Sequence, residues 1–183
     1  MLRTLPCLDS VEMSSSRRQE LDIPRNIAAG LGTSAVEAAT AGHYGCANGT
    51  QVNWSRYVQA ACSAKVSISP DAPLPEPEWN PFSETRIQVA NETTLGASRR
   101  LVESGLRPLA LNFANGVSPG GGFLSGAKAQ EEVLCRSSAL YRTIINDQMY
   151  IEHRQRARSD STDWAIYSPN VPVFRTDNGV ELE

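Results

Sequence analysis

At 183 residues, with 40% apolar and 20% charged side chains, the chain has room for one domain with a sizeable core but not for two full domains. A net charge of −3 and a pI near 5.5 provide no basic face for duplex nucleic acid, so an anionic ligand has to be held by local N–H groups. No run of about 18 apolar residues is present to cross a bilayer, and residues 1–8 are too short and interrupted for a signal peptide.

A soluble, cytoplasmic protein that works as a monomer is expected, with a nuclear location open to it if the source is eukaryotic. Cys7, Cys46, Cys62 and Cys135 follow neither a disulfide-framework nor a metal-ligand spacing, which predicts reduced thiols. His43 and Cys46 are spaced like a ligand pair, but no second pair answers them, so no metal is expected.

Taken in chain order, residues 1–22 are polar and predict a flexible lead-in. Residues 23–85 predict a helical N-terminal extension and a linker. One or two short helices fall between Ile23 and Ala41, a turn at Gly42-His43-Tyr44, and a further helix from Trp54 to about Val66. The proline-rich run 70–81 cannot be regular structure.

Residues 86–183 carry sharper alternating signals. Arg86 to Asn91 alternates as a strand, Thr93 to Glu103 reads as a helix closed by Gly105, and Leu109 to Asn115 reads as the next strand. That is a βαβ unit, which predicts a parallel pair, with Leu111 and Phe113 assigned to the core. One helix is predicted after the glycines, with Val133, Leu134, Leu140, Tyr141, Ile144 and Ile145 on its buried face. Trp164 to Tyr167 predicts another strand.

The chemistry concentrates between Asn115 and Glu132. Gly120, Gly121 and Gly122 follow a predicted strand, where glycine backbone either makes a tight turn or converges its N–H groups on phosphate oxygens. There is no Gly-Lys-Ser/Thr ending of a triphosphatase loop, and three consecutive glycines lack the dinucleotide-fingerprint spacing. Glu131 and Glu132 open the following helix. They either serve its dipole, with Glu132 paired to Arg136 one turn on, or act as an acid/base pair beside the glycines.

A glycosidic acid must be protonated before it acts. The helix terminus favours a charged Glu132 by about 0.3–1 kcal/mol. Burial works the other way by several times that amount, and a second carboxylate adds to it, so a neutral Glu132 is expected. Asn115 either caps a turn or offers its amide to a sugar hydroxyl. Asn91-Glu92-Thr93 is a secondary candidate at the end of the preceding strand, and also a good helix start.

The order Asn112-Phe-Ala-Asn115, Pro119-Gly-Gly-Gly122, seven residues, then Gln130-Glu-Glu-Val-Leu-Cys-Arg-Ser-Ser-Ala-Leu-Tyr141 resembles the signature of microbial-type poly(ADP-ribose) glycohydrolases. The likeness runs from about Arg25 to Glu183 and includes Val89-Ala-Asn-Glu-Thr-Thr94 and Ser168-Pro-Asn-Val-Pro-Val-Phe174. It implies an α/β macrodomain-like fold, three layers α/β/α around a mixed sheet. The sheet is expected to be C-terminally incomplete, because a second glycine-rich loop and further strands of that fold are not visible in the sequence.

By the same resemblance, Gly120, Gly121 and Gly122 would lie along a diphosphate and Asn115 would hold the distal ribose. Gln130 would shape the loop, Glu131 would bind ribose hydroxyls, and Glu132 would be the catalytic acid and then the base. The substrate implied is poly(ADP-ribose) on modified proteins, the product ADP-ribose, and no cofactor is required. A protein that binds ADP-ribose without cleaving it, or an inactive truncated homologue, are the alternatives.

Overall fold

The structure is a computed structural model, and it describes residues 1–73, 76, 82–157 and 161–183. Residues 74, 75 and 77–81 of the expected proline-rich linker lie outside the described residues. Strands are short: β1 (Leu2–Thr4), β2 (His43–Gly45), β3 (Gln51–Asn53), β4 (Val66–Ile68), β5 (Thr85–Ile87) and β6 (Ala165–Tyr167). Helices are α1 (Val11–Leu21), α2 (Arg25–Ala41), α3 (Ser55–Ala64), α4 (Thr94–Glu103), α5 (Gln130–Ser137), α6 (Leu140–Ile144) and α7 (Gln148–Gln155), with a 3-10 turn at Phe123–Ser125 ahead of α5.

Both parallel and antiparallel pairing occur, in three separate ladders: β1 with β5 parallel, and β2 with β3 and β4 with β6 antiparallel. Residues 1–22 hold β1 and α1, and α1 buries none of its side chains. Leu8 and Ala90 extend the β1–β5 pairing by one parallel bridge.

The centre of the molecule is α2. Its small residues Ala28, Gly32, Ala35, Ala38 and Ala39 are buried. They let α5 and the 3-10 turn approach closely. At Gly32 a Cβ would sit 2.7 Å from the carbonyl oxygen of Phe123, so no larger residue keeps that contact. On one side of α2 the rings of Trp54 and Phe174 pack with centroids 4.7 Å apart, and Trp54 Nε1 donates to Ala38 O at 3.0 Å. On the other, Phe123, Cys135, Ile144, Met149 and Tyr150 form a second core cluster.

Three sequence expectations meet a different arrangement. The single helix expected after the glycines is two, α5 and α6. Ser138 has extended backbone (φ −147°, ψ 177°), its hydroxyl donates to Leu134 O and accepts from Leu140 N, and it bridges to Val173. Local side-chain hydrogen bonding thus competes with helix continuation there.

Residues 109–115 form no ladder with β5 among the described residues; β5 pairs with β1 instead. In consequence Leu111 and Phe113, expected in the core, are 69% and 73% exposed, and Leu109 beside them is 84% exposed, because no layer among the described residues lies over them. Leu109, Leu111 and Phe113 recur at every second residue and so fall on one exposed face of this extended segment.

Asp147 secures the far side of the fold. Its side chain is fully buried, Lys65 Nζ donates to Oδ2 at 2.7 Å, and Ser67 Oγ donates to Oδ1 at 2.8 Å. It also caps α7, accepting from Met149 N at 3.0 Å. Burial alone would raise this carboxyl, but hydrogen bonds from Lys65, Met149 and Ser67 prevail and hold it below the usual carboxylate range.

A depressed folded value means the stabilisation is complete above the unfolded pKa of about 3.9 and is lost as the pH falls through the lower folded value. Asp147→Asn is expected to cost about 2–3 kcal/mol at neutral pH, since Lys65 is left without its partner. Urea unfolding from neutral pH down to about pH 2 checks both points: the cost shrinks towards the acid end.

Candidate active site

The segment 111–115 reaches the glycine turn by an unusual route. Gln130, the first residue of α5, takes the place of a neighbouring strand. Its Oε1 accepts from Phe113 N at 2.9 Å and its Nε2 donates to Leu111 O at 2.6 Å, the two backbone groups a ladder partner would use. A third hydrogen bond runs from Nε2 to Thr94 Oγ1 at 3.2 Å. Gln130 thereby clips an extended segment to a helix terminus.

That clip sets Asn115 and the glycines against the two carboxylates. Glu131 Oε2 accepts from Asn115 N at 2.8 Å and Oε1 from Gly120 N at 3.1 Å. Glu132 Oε1 accepts from Gly122 N at 3.0 Å. Gly121 N is spent inside the turn, on Ser118 O at 2.9 Å. In this structure the N–H groups at all three glycines are donated within the chain, two of them to the carboxylates.

Gly121 has φ +56°, and a Cβ there would run into Glu132 Oε1, with Glu131 Oε2 at 3.2 Å. Glycine is required both for the left-handed backbone and for the approach of two carboxyl groups.

Glu131 is 3% exposed and Glu132 9%. Burial pushes the Glu131 carboxyl up. The Asn115 N–H, the Asn112 side chain and the Gly120 N–H oppose this by favouring the charged form, and the neighbouring Glu132 carboxylate adds to the upward push. Among the described residues nothing hydrogen-bonds Glu132 Oε2. One oxygen of Glu132 is therefore anchored and the other is available.

The Glu132–Arg136 pairing weighed from the sequence does not form among the described residues. Arg136 turns inward, 1% exposed, with its Nη1 reaching Ala127 O at 3.5 Å. Burial pushes this guanidinium down from its usual value, against the Asp177 and Glu132 charges that favour it.

Asn115 adopts the turn-capping arrangement, its Oδ1 accepting from Val117 N at 2.9 Å and Ser118 N at 2.8 Å. Its Nδ2 carries no hydrogen bond among the described residues.

The secondary candidate 91–93 is occupied by structure. Asn91 donates to Asp9, Glu92 pairs with Arg100, and Thr93 caps α4 through Gly96 N while donating to Asp177. Asn112 was not singled out from the sequence. In a strand it lies on the face opposite Leu111 and Phe113, and this is the face that meets Glu131. A polar residue between two apolar ones was the signal, read in the wrong phase.

The profile of one family, microbial-type PARG, catalytic domain, matches residues 33–176. The chain belongs to this family. Every candidate residue falls inside the matched range.

Among solved structures the chain is similar to poly(ADP-ribose) glycohydrolase (PARG) from Thermomonospora curvata, 38% identical with a TM-score of 0.77, over 86% of this chain and 60% of that one. The same organism's enzyme bound to the inhibitor ADP-HPD aligns at 37% identity and a TM-score of 0.76, covering 86% and 58%. The chain thus spans about 60% of the length of these PARG structures. No curated protein matches it.

Because Glu131 is held up by burial, its carboxyl is expected to titrate above the model-peptide range of about 4.3. A carbon-13 carboxyl titration of the folded protein reads this directly. Gly121→Ala is expected to cost about 1–3 kcal/mol of stability through the left-handed backbone and displaced carboxylates, measured by thermal unfolding.

Proposed function

We propose that the chain is a poly(ADP-ribose) glycohydrolase that hydrolyses ribose–ribose O-glycosidic bonds and releases ADP-ribose, with Glu132 as general acid and base. The observation that carries this reading is the asymmetry of the pair. Both oxygens of Glu131 accept backbone N–H groups, whereas Glu132 has one oxygen fixed by Gly122 N and one without a partner among the described residues. A group that moves a proton needs a fixed orientation and a free lone pair at the reacting side.

In the proposed reaction, protonated Glu132 gives its proton to the leaving ribose oxygen as the glycosidic C–O bond breaks. The remaining ribose passes through an oxocarbenium-like state. The Glu132 carboxylate then takes a proton from the attacking water, whose oxygen bonds to the anomeric carbon. Water is added across the bond and Glu132 returns to its starting state. One carboxylate serves both steps, unlike the two-carboxylate scheme of most glycosidases.

Glu131, fixed by Asn115 N and Gly120 N, is proposed to receive the ribose hydroxyls, and Asn115 Nδ2 to reach the distal ribose. The 37% identity to a relative bound to the inhibitor ADP-HPD supports ADP-ribose chemistry for this chain. The chain spans 58% of that relative's length.

Glu132→Gln is expected to lower ADP-ribose release from purified polymer by about 10²–10⁴-fold while leaving ADP-ribose binding within a few-fold. Chromatography of the released nucleotide and calorimetry of ADP-ribose binding check the two halves. Equal release by the variant and the parent would overturn the assignment of the acid. Binding without release by the parent would favour a non-catalytic ADP-ribose binder instead.

A further inference from the structure

The loop 116–119 joins the extended segment to the glycine turn, and its inward-facing groups are satisfied locally. Asn115 Oδ1 takes the N–H groups of Val117 and Ser118, and Ser118 O takes Gly121 N. The carbonyls of Gly116 and Val117 are left facing out of this turn. Both are met by α7: His153 Nδ1 lies 2.8 Å from Gly116 O, and Arg154 Nη1 donates to Val117 O at 3.0 Å.

The two contacts are unequal. Arg154 is exposed, and an exposed hydrogen bond contributes little. His153 is 8% exposed and held at both ring nitrogens, with Nε2 lying 2.7 Å from Thr162 Oγ1. A carbonyl can only accept, so Nδ1 carries the proton. Thr162 Oγ1 already accepts from Trp164 N at 3.2 Å and has its hydroxyl proton to donate to Nε2. The ring is therefore fixed in orientation as well as in position. Its helix is anchored in turn by the buried Asp147 cap.

We infer that His153 is a positioning residue for the proposed site: by holding Gly116 O it fixes the loop whose later N–H groups, at Gly120 and Gly122, orient Glu131 and Glu132. The inference rests on the functional reading above only for its effect on turnover. Its structural half stands on the chain of hydrogen bonds from α7 through residues 116–122 to α5.

Two substitutions separate this role from simple space filling. In His153→Asn the side-chain amide nitrogen falls near the Nδ1 position and keeps a donor for Gly116 O. In His153→Gln the amide reaches towards Thr162 and leaves Gly116 O without its donor. Amide hydrogen exchange at Gly120 and Gly122 is read first, with the β2–β3 amides as an internal control for folding. His153→Gln is expected to speed exchange at both glycines by about tenfold, the effect of losing one buried hydrogen bond, and His153→Asn to recover most of the protection.

Thr162→Val, which frees the Nε2 end of the ring and also leaves Trp164 N without this acceptor, is expected to act in the same direction to a smaller extent. ADP-ribose release is read second, and kcat is expected to follow the exchange order, with His153→Gln about tenfold down. Unchanged glycine protection in both His153→Gln and Thr162→Val overturns the inference, as does equal loss in His153→Asn and His153→Gln. If the parent chain releases no ADP-ribose, the functional reading fails while the exchange comparison still decides the role of His153.

Discussion

Two backbone N–H groups, at Gly120 and Gly122, donate to two side-chain carboxylates, at Glu131 and Glu132, and the rest of the site depends on that pairing. It accomplishes what a pair of adjacent acids cannot do unaided. Buried carboxylates side by side repel each other and lose hydration, and fixed N–H dipoles return part of that loss. The glycines are needed because the backbone must pass within contact of the carboxyl groups; at Gly121 even a methyl group has no room.

The surrounding fold can be understood as support for this contact. Small residues on α2 let the 3-10 turn and α5 settle against it, Gln130 substitutes for a strand neighbour of residues 111–113, and α7 takes the loop carbonyls. None of these supports is large. Each is a directed hydrogen bond or a close approach that fixes one degree of freedom, and positioning of reacting groups is sensitive to errors of an ångström. The cost of this design is a turn whose N–H groups are already engaged within the chain.

Much of this was legible in the sequence because the chemistry sits in one run of about twenty residues. The glycine triplet, Gln130 and the adjacent glutamates have residue types that few structural roles require together at that spacing. α4 was legible from its Thr93 cap and Gly105 stop. What escaped the sequence depended on distant partners. Whether residues 109–115 pair as a strand is decided by what lies beside them, and here that is a glutamine side chain. The α5–α6 break hinges on Ser138, whose hydroxyl is as compatible with a helix as with a stop. His153 lies 37 residues from the carbonyl it holds, and a lone histidine on a helix carries no signal of that contact.

The exposed apolar side chains of Leu109, Leu111 and Phe113 lie on the same extended segment that delivers Asn115. The structure thus couples an exposed sheet-like edge to the site through Gln130, which touches the edge backbone with its side chain and begins the helix that carries both glutamates.

The most direct measurement is a crystal structure of this chain soaked with ADP-ribose. The account predicts the distal ribose against Glu131 and Asn115, with Glu132 Oε2, which has no hydrogen-bond partner among the described residues, facing the anomeric carbon and Gly122 N still donating to Oε1. ADP-ribose seated away from the glycine turn, or Glu132 swung off Gly122 to meet Arg136, would contradict it.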